Sequence, residues 1–292
     1  MKKRILRLLA CPLCHHKIQK TNNKGLICPK CHQNYKIENG VPLMLDEKKM
    51  KEFKNNIDCT ESGYRMKRDF VENYKFNERI RKWLAPPSPF LKIDINEKLN
   101  VLFNHSGENT VVLNIGSGNI KLKEKVINLD TYIFPGVDVV GDAHQLPFEN
   151  ESLDSIIIIA VLEHIRQPQL VMQEIYRVLR KGGYVYVDVP FMAHYHGYPN
   201  DFQRYTLSGL EELCSGFSKV DSGVVVGPSS ALCEMLRIYA TLFSNKFYVQ
   251  KFLQGVIGWL TFPLKYLDLF MVKNKDAYIA AYANFVLAKK EN

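Results

Sequence analysis

Residues 111–142 read VVLNIGSGNIKLKEKVINLDTYIFPGVDVVGD. Val111, Val112, Leu113 and Ile115 make a short apolar run, the pattern of a strand buried on both faces. The run breaks on Gly116, Ser117 and Gly118. Glycine lets the backbone turn sharply there and approach a ligand with no Cβ in the way. A second run, Val126 to Leu129, ends on Asp130, and a third, Val137 to Val140, ends near Asp142. Strand, glycine turn, strand, carboxylate is the order of an open α/β sheet that binds a nucleoside-bearing cofactor at its carboxyl edge. A lone Gly-x-Gly is weak, and each aspartate by itself also fits a loop cap. The weight lies in three strand ends following in this order.

The next stretch, residues 146–190, reads LPFENESLDSIIIIAVLEHIRQPQLVMQEIYRVLRKGGYVYVDVP. Ile156 to Ala160 is an all-apolar fourth strand running into Val161-Leu162-Glu163-His164. Pro168 suits the first turn of a helix, Ile175, Val178 and Leu179 fit its buried face, and Gly182-Gly183 are expected to end it. Tyr184 to Val189 is then a fifth strand. The order LPF-x-x-x-S-x-D, apolar strand, LEH, amphipathic helix, E-x-x-R-V-L-x-x-G-G resembles the class I S-adenosylmethionine-dependent methyltransferases, in the group of the ubiquinone/menaquinone enzymes. The likeness covers roughly Val111 to Val225. It implies a Rossmann-like α/β sheet, mostly parallel, of seven strands with the last antiparallel. It also implies S-adenosylmethionine as cofactor, with contacts at Asn114, Gly116, Ser117, Gly118, Asp130, Asp142, Ala143, Ala160 and Glu163. Asp130, at a strand end, has two oxygens for the two ribose hydroxyls. Asp142 is placed for the adenine amine. Only eleven residues separate Gly118 from Asp130, too few for a three-turn helix with a turn at either end. The first crossover helix is therefore expected to be cut short, and Asn119 stands where the family has a third glycine.

The N-terminus carries Cys11-Pro-Leu-Cys14 and Cys28-Pro-Lys-Cys31, two C-x2-C pairs thirteen residues apart. Two such knuckles supply a tetrahedral thiolate cage for structural zinc, with no position left for water. Residues 1–46 are too few to fold well on an apolar core alone, and the metal supplies the deficit. LLACPLC, LICPKC and NYKIENGVPLML resemble the small zinc-ribbon activator that partners several RNA and release-factor methyltransferases. The resemblance implies a ribbon docked on a methyltransferase in cis. Residues 47–103 read as a helical linker or cap, with Tyr64, Phe70, Tyr74, Phe76, Ile80, Trp83 and Leu84 at roughly helical spacing. Residues 104–292 are the methyltransferase domain.

By the carboxyl-edge rule the acceptor lies over the loops after strands four and five. PFMAHYHGYPNDFQRYT, residues 190–206, gathers His194, His196, Asp201 and Arg204. Two readings are open. In one, a histidine is the base for a hydroxyl acceptor, oriented by Asp201, and Arg204 holds an anionic group. In the other, an Arg204–Asp201 pair stiffens a lid. A metal site from the two histidines and Asp201 is a third, weaker option. His164 is either a structural or a catalytic histidine. The N-P-P-Y/F or D-P-P-Y clamp of amine and amide methylation is absent; the position reads AVLEH. That favours O-methylation of a small-molecule, glycan or lipid-linked acceptor.

Thr206 to Phe217 reads as a helix, Lys219 to Val226 as a sixth strand and Ala277 to Ala288 as a seventh. Between them residues 227–275 form an apolar insertion. Leu253, Val256, Ile257, Leu260, Leu264 and Leu267 recur at helical spacing, and Lys246, Lys251, Lys265, Lys273 and Lys275 flank them. The uncharged run from Phe252 to Leu264 is too short to span a bilayer. It suits peripheral membrane contact through residues 246–275 or a roof over a lipid-linked acceptor. Dimerisation as a homodimer or plain core packing are the alternatives.

Of 292 residues, 46% are hydrophobic and the net charge is +9. Residues 1–60 carry a net +8, whereas residues 104–226 carry a net −6. An acidic core disfavours nucleic acid as substrate, although the basic ribbon keeps RNA methylation open as an alternative. A non-catalytic scaffold is the other. The paired cysteines indicate a reducing cytoplasm, possible membrane association aside, and MKKRILRLLACPLC has too short an apolar run for a signal peptide.

Overall fold

The computed structural model describes residues 3–21, 25–46, 49–51, 95–105, 107–119, 122–123, 125–197 and 200–291. The aromatic residues expected to form linker helices, Tyr64 to Leu84, lie outside the described residues.

The ribbon contains α1 (Lys3–Leu6), β1 (Gln19–Lys20), β2 (Leu26–Ile27), β3 (Asn34–Tyr35), β4 (Ile37–Glu38) and β5 (Val41–Met44). Then come α2 (Ile95–Asn104), β6 (Val112–Ile115), β7 (Val126–Asp130), β8 (Val139–Gly141), β9 (Leu153–Ile159), α3 (Pro168–Val178) and β10 (Leu179–Pro190). The C-terminal part holds α4 (Leu207–Leu213), β11 (Ser218–Val226), α5 (Pro228–Thr241), α6 (Phe247–Thr261), α7 (Asp268–Met271) and β12 (Ala283–Lys289).

The strands β1, β2 and β3 make a small antiparallel sheet, and the rest form one nine-stranded sheet in the order β11-β12-β10-β9-β6-β7-β8-β5-β4. Seven of the nine are the expected methyltransferase strands. The other two come from the ribbon: β5 pairs in parallel with β8, Leu43 opposite Val140 and Met44 opposite Gly141. The seven-strand expectation therefore undercounts, because the ribbon's last hairpin supplies its free edge to the domain's sheet. β12 runs antiparallel to both β10 and β11.

Alternation along the central strands explains their all-apolar composition. Leu113, Ile156, Ile158, Val185 and Val187 pack on one face, with Val171 and Ile175 of α3, Leu210 of α4 and the ribbon's Ile5, Leu9 and Leu26. Val112, Ile157, Tyr186 and Phe285 pack on the other, against Leu99 and Leu102 of α2. Both faces are covered, so apolar residues dominate both periodic positions, and the polar exceptions Asn114 and Asn128 bond each other.

Two boundaries differ from expectation. Gly182-Gly183 do not end α3, which stops at Val178; Leu179 already pairs with Leu153, and the glycines form an irregularity inside β10. Gly182 has φ +75°, and a Cβ on Gly183 would collide with Leu179 and with the Asp154 carbonyl. The last strand does not begin at Ala277: residues Ala277–Ala280 form a 3-10 turn, and pairing starts where Ala283 meets Pro190. Between β6 and β7 the described residues include no helix, as eleven residues allow.

Candidate functional site

The carboxyl ends of β6, β7, β8 and β9 surround a cavity of about 1040 Å³. Gly116 forms its floor with φ +67°, and any side chain there would collide with Val161. The Gly116 and Ser117 N–H groups donate to the Leu129 carbonyl at 2.8 and 3.1 Å, locking the loop onto β7. Asp130 is 8% exposed. Its oxygens accept from the Gly118 N–H at 2.8 Å and the Tyr132 N–H at 3.0 Å. Burial pushes its carboxyl up against the pull of those N–H donors. Asp142 accepts from His144, backbone and ring, at 2.7 Å, and meets Lys49 Nζ at 2.8 Å. Burial alone would raise its carboxyl, but His144 and Lys49 outweigh it and hold the group well below the carboxylate range. Ala160, at the exit of β9, has φ +52°. That conformation is uncommon for a non-glycine residue.

Of the nine cofactor candidates, Gly116, Asp130, Asp142, Ala143 and Ala160 line this cavity; Asn114, Ser117, Gly118 and Glu163 do not. Asn114 is spent inside the sheet, donating to Asn128 Oδ1 at 3.2 Å. Gly118 acts through its N–H on Asp130. Ser117 is buried beneath the loop.

The acceptor loop stands beside the cavity. Arg204 makes a two-pronged pair with Asp201 and donates to the His194 carbonyl at 2.9 Å. Arg204, the largest cause, holds the Asp201 carboxyl at about 2. Asp201 also accepts from the His196 N–H at 2.9 Å. These contacts tie the loop into a fixed arch, so Arg204 and Asp201 are engaged with the protein itself. His164 lines the cavity and its Nδ1 faces the Asn200 carbonyl. Glu163 is fully buried, and neither of its oxygens has a hydrogen-bond partner among the described residues. Burial pushes its carboxyl up. His194 has a buried Nδ1 without a hydrogen-bond partner among the described residues, and burial lowers its pKa.

In the ribbon the four cysteine sulfurs lie within 4.8 Å of one another, with Cys11–Cys31, Cys14–Cys28 and Cys14–Cys31 at 3.5, 3.4 and 3.7 Å. Four thiolates about 2.3 Å from one zinc stand about 3.8 Å apart. The two knuckles repeat each other: His15 N–H donates to the Cys11 carbonyl at 2.8 Å and His32 N–H to the Cys28 carbonyl at 2.9 Å, both with positive φ.

Residues 96–187 match the family described as "Methyltransferase domain" and residues 2–40 the family described as "Trm112p-like protein". The chain carries a methyltransferase domain behind a Trm112p-like ribbon. Among curated proteins it is similar to phthiotriol/phenolphthiotriol dimycocerosates methyltransferase 1 of Mycobacterium ulcerans (strain Agy99), 38% identical over 79 residues, which are 26% of this chain and 27% of that protein. A second protein of that organism and type is 42% identical over 57 residues, 19% of this chain and 22% of that one. The chain thus matches only about a quarter of the length of these relatives. Among solved structures, a SAM dependent methyltransferase from Archaeoglobus fulgidus has a TM-score of 0.44 at 17% identity, covering 75% of this chain and 99% of that one. Haemonchus contortus phosphoethanolamine N-methyltransferase 2 with S-adenosyl-L-methionine has a TM-score of 0.40 at 18% identity, covering 75% and 60%.

One residue from just beyond the ribbon joins the cavity wall. Lys49, five residues past Met44 at the end of β5, reaches Asp142 and also Gln145 Oε1 at 3.1 Å. Lys49, Tyr132, Phe134, His144 and Phe202 line the cavity and carry no signal in the sequence, since only the folded sheet edge brings them together. Ala160 enters the sequence reading through the family resemblance; its positive φ is a property of the structure.

Proposed function

We propose that the protein is an S-adenosylmethionine-dependent methyltransferase acting at oxygen on a small-molecule, glycan or lipid-linked acceptor. The observation that carries this reading is the buried Asp130 carboxylate, held by two backbone N–H groups beside the open Gly116 turn, in a cavity that ends at His164. Bound there, the cofactor supplies a methyl group on a sulfonium, open to in-line displacement. The chain positions it: Asp130 accepts from the ribose hydroxyls, Gly116 admits the amino-acid part, and Ala143 and Phe134 flank the base. Methyl transfer depends chiefly on such positioning. His194, whose pKa burial lowers, is the base this reading assigns for a hydroxyl acceptor. The ribbon's thiolate cage fits structural zinc.

The exposed insertion supports an acceptor presented at a lipid surface. Tyr248, Phe252, Val256 and Leu260, spaced four apart on α6, are 85, 68, 39 and 70% exposed. Lys246, Lys251, Lys273 and Lys275 are exposed nearby, whereas Lys265 is buried against Glu234 at 2.8 Å and serves the fold. Among the described residues no helix is long and apolar enough to cross a membrane, so contact would be peripheral. A relative named for dimycocerosate acceptors is in keeping with a lipid-linked substrate.

Calorimetric binding of S-adenosylhomocysteine tests the cofactor assignment. Wild type is expected to bind, and Asp130→Ala to bind roughly 10-fold or more weakly, as loss of hydrogen bonds to a charged group requires. A folded, zinc-loaded wild type that does not bind overturns the reading.

A further inference from the structure

We propose that Glu163, His164 and His196 form a second metal site, open to ligands, for a divalent first-row transition ion. Glu163 and His164 sit in the 3-10 turn after β9, and His196 comes from the loop after β10. The chain thus delivers three donors from two strand ends to one point. Their donor atoms lie within 4.8 Å of one another. His196 Nε2 is 3.4 Å and His164 Nε2 3.8 Å from the same oxygen, Glu163 Oε1. Donors about 2.1 Å from one metal ion stand about 3.0–3.4 Å apart, so a small inward movement closes the site.

Three features separate this cluster from a chance meeting of polar groups. The Glu163 side chain is 0% exposed, yet neither oxygen finds a hydrogen-bond donor among the described residues. A buried carboxylate without a donor bears its full desolvation cost, and an ion between the three groups removes it. Secondly, each imidazole turns its other nitrogen outward onto a backbone carbonyl. His164 Nδ1 faces Asn200 O, and His196 Nδ1 is 3.3 Å from His194 O. At His164 the carbonyl calls for the proton on Nδ1 and leaves Nε2 as the lone-pair donor, as in metal-bound histidines, while His196 Nδ1 also has Arg204 Nη2 3.4 Å away. Thirdly, the two rings meet edge to face with centroids 5.1 Å apart, both edges on the carboxylate. The Arg204–Asp201 arch, through the Asp201 bond to His196 N–H, holds the second histidine in place.

Two imidazoles and one carboxylate suit zinc, iron(II) or manganese(II) and leave coordination positions free. His164 also lines the cofactor cavity, so those positions face the side where an acceptor enters. There the ion would bind an acceptor hydroxyl and lower its pKa. That role rests on the methyltransferase reading; the site itself does not. The free positions of such an ion suit an oxygen ligand, best one with two adjacent oxygens that can chelate.

The test counts metal in the full chain. Protein desalted from zinc-containing buffer is analysed for zinc, beside Glu163→Gln and His196→Gln, with melting temperature and S-adenosylhomocysteine binding measured on each. Two zinc ions per chain are expected in the wild type, one in the ribbon and one here. Each variant should keep one, still folded and still binding the cofactor product. His196→Gln, on a part-exposed loop, keeps the test usable where Glu163→Gln fails to fold. One ion in the wild type overturns the proposal, leaving Glu163 to be neutralised by a proton. Two ions in wild type and in both variants place the second ion elsewhere and overturn it as well. Because metal count is read separately from cofactor binding, loss of one reading leaves the other standing.

Discussion

The ribbon and the helical insertion are attached to opposite edges of one sheet, and they treat their apolar side chains in opposite ways. The ribbon adds β5 and β4 beyond β8 and sinks Ile5, Leu9, Ile18 and Leu26 into the same core as Phe148 and Leu146. The Ala10 N–H donates to the Pro147 carbonyl at 3.0 Å and the Glu149 N–H to the Leu8 carbonyl at 3.0 Å, stitching the two parts together. The insertion, between β11 and β12, leaves Leu242, Phe243, Tyr248, Phe252, Leu260 and Phe270 between 68 and 85% exposed. Contiguous apolar surface of this kind marks contact with something outside the chain. One appendage spends its apolar surface on its own domain; the other keeps it outward.

The largest effect should come from breaking the ribbon. Cys28→Ser removes one thiolate from the cage. Structural zinc contributes apparent folding energy on the order of 10 kcal/mol in small zinc-binding peptides. Loss of the cage should unfold the ribbon, strip the cover from β8 and expose Leu9 and Phe148. Limited proteolysis should then cut within the first 46 residues, with a large fall in melting temperature. Unchanged melting in Cys28→Ser would mean that the ribbon holds by its apolar contacts alone.

A smaller effect is expected at the anchor of the insertion. Asp268 is fully buried and accepts from Ser229 N–H at 2.8 Å, Ser230 N–H at 2.9 Å and Ser230 Oγ at 2.7 Å, capping the start of α5. Beside it, Glu234 bonds Lys265 at 2.8 Å and Arg237 at 2.8 Å. The insertion is thus pinned to itself by buried side-chain polar contacts, whereas the ribbon is pinned by apolar side chains and backbone hydrogen bonds. Asp268→Ala should cost about 1–3 kcal/mol, the price of leaving two buried N–H groups unpaired. Chemical denaturation checks this, and a neutral result would show that α5 needs no cap.

Much of the first region was legible before folding. β6, β7 and β9 stand out as apolar runs because a sheet covered on both faces favours apolar residues at both periodic positions. Cys11, Cys14, Cys28 and Cys31 stand out because a metal cage demands that spacing. What stayed hidden depends on contacts between distant segments. Nothing local tells that Val41–Met44 will pair with β8, or that Lys49 will reach Asp142. Gly182-Gly183 looked like a helix end because glycine commonly is one; pairing of Leu179 with Leu153 turned them into a strand irregularity instead. Glu163 reads as a cofactor contact from its place after β9, yet His196, 33 residues on in the sequence, is what it faces. The heptad-like leucines of the insertion split between faces: Leu253 and Ile257 turn partly inward, and Val256 and Leu260 point out. Periodicity shows that a helix has an apolar side but not what covers it.

The smallest expected change in stability is also the sharpest test of the comparison. Phe252 and Leu260 are 68 and 70% exposed on α6. Replacing both by glutamate removes apolar area that the fold hardly uses, so stability should move by no more than about 0.5 kcal/mol per site. The same change places two negative charges on the face flanked by Lys246 and Lys251. Co-sedimentation with vesicles containing an anionic phospholipid should fall several-fold, because interfacial binding scales with buried apolar area plus attraction of basic residues to the headgroups. A matching change at the ribbon, Leu9→Glu, would be ruinous, since Leu9 is 0% exposed. Equal destabilisation by the α6 pair would show that the insertion folds back on the chain in solution, and unchanged sedimentation would assign its apolar face to another copy of the protein.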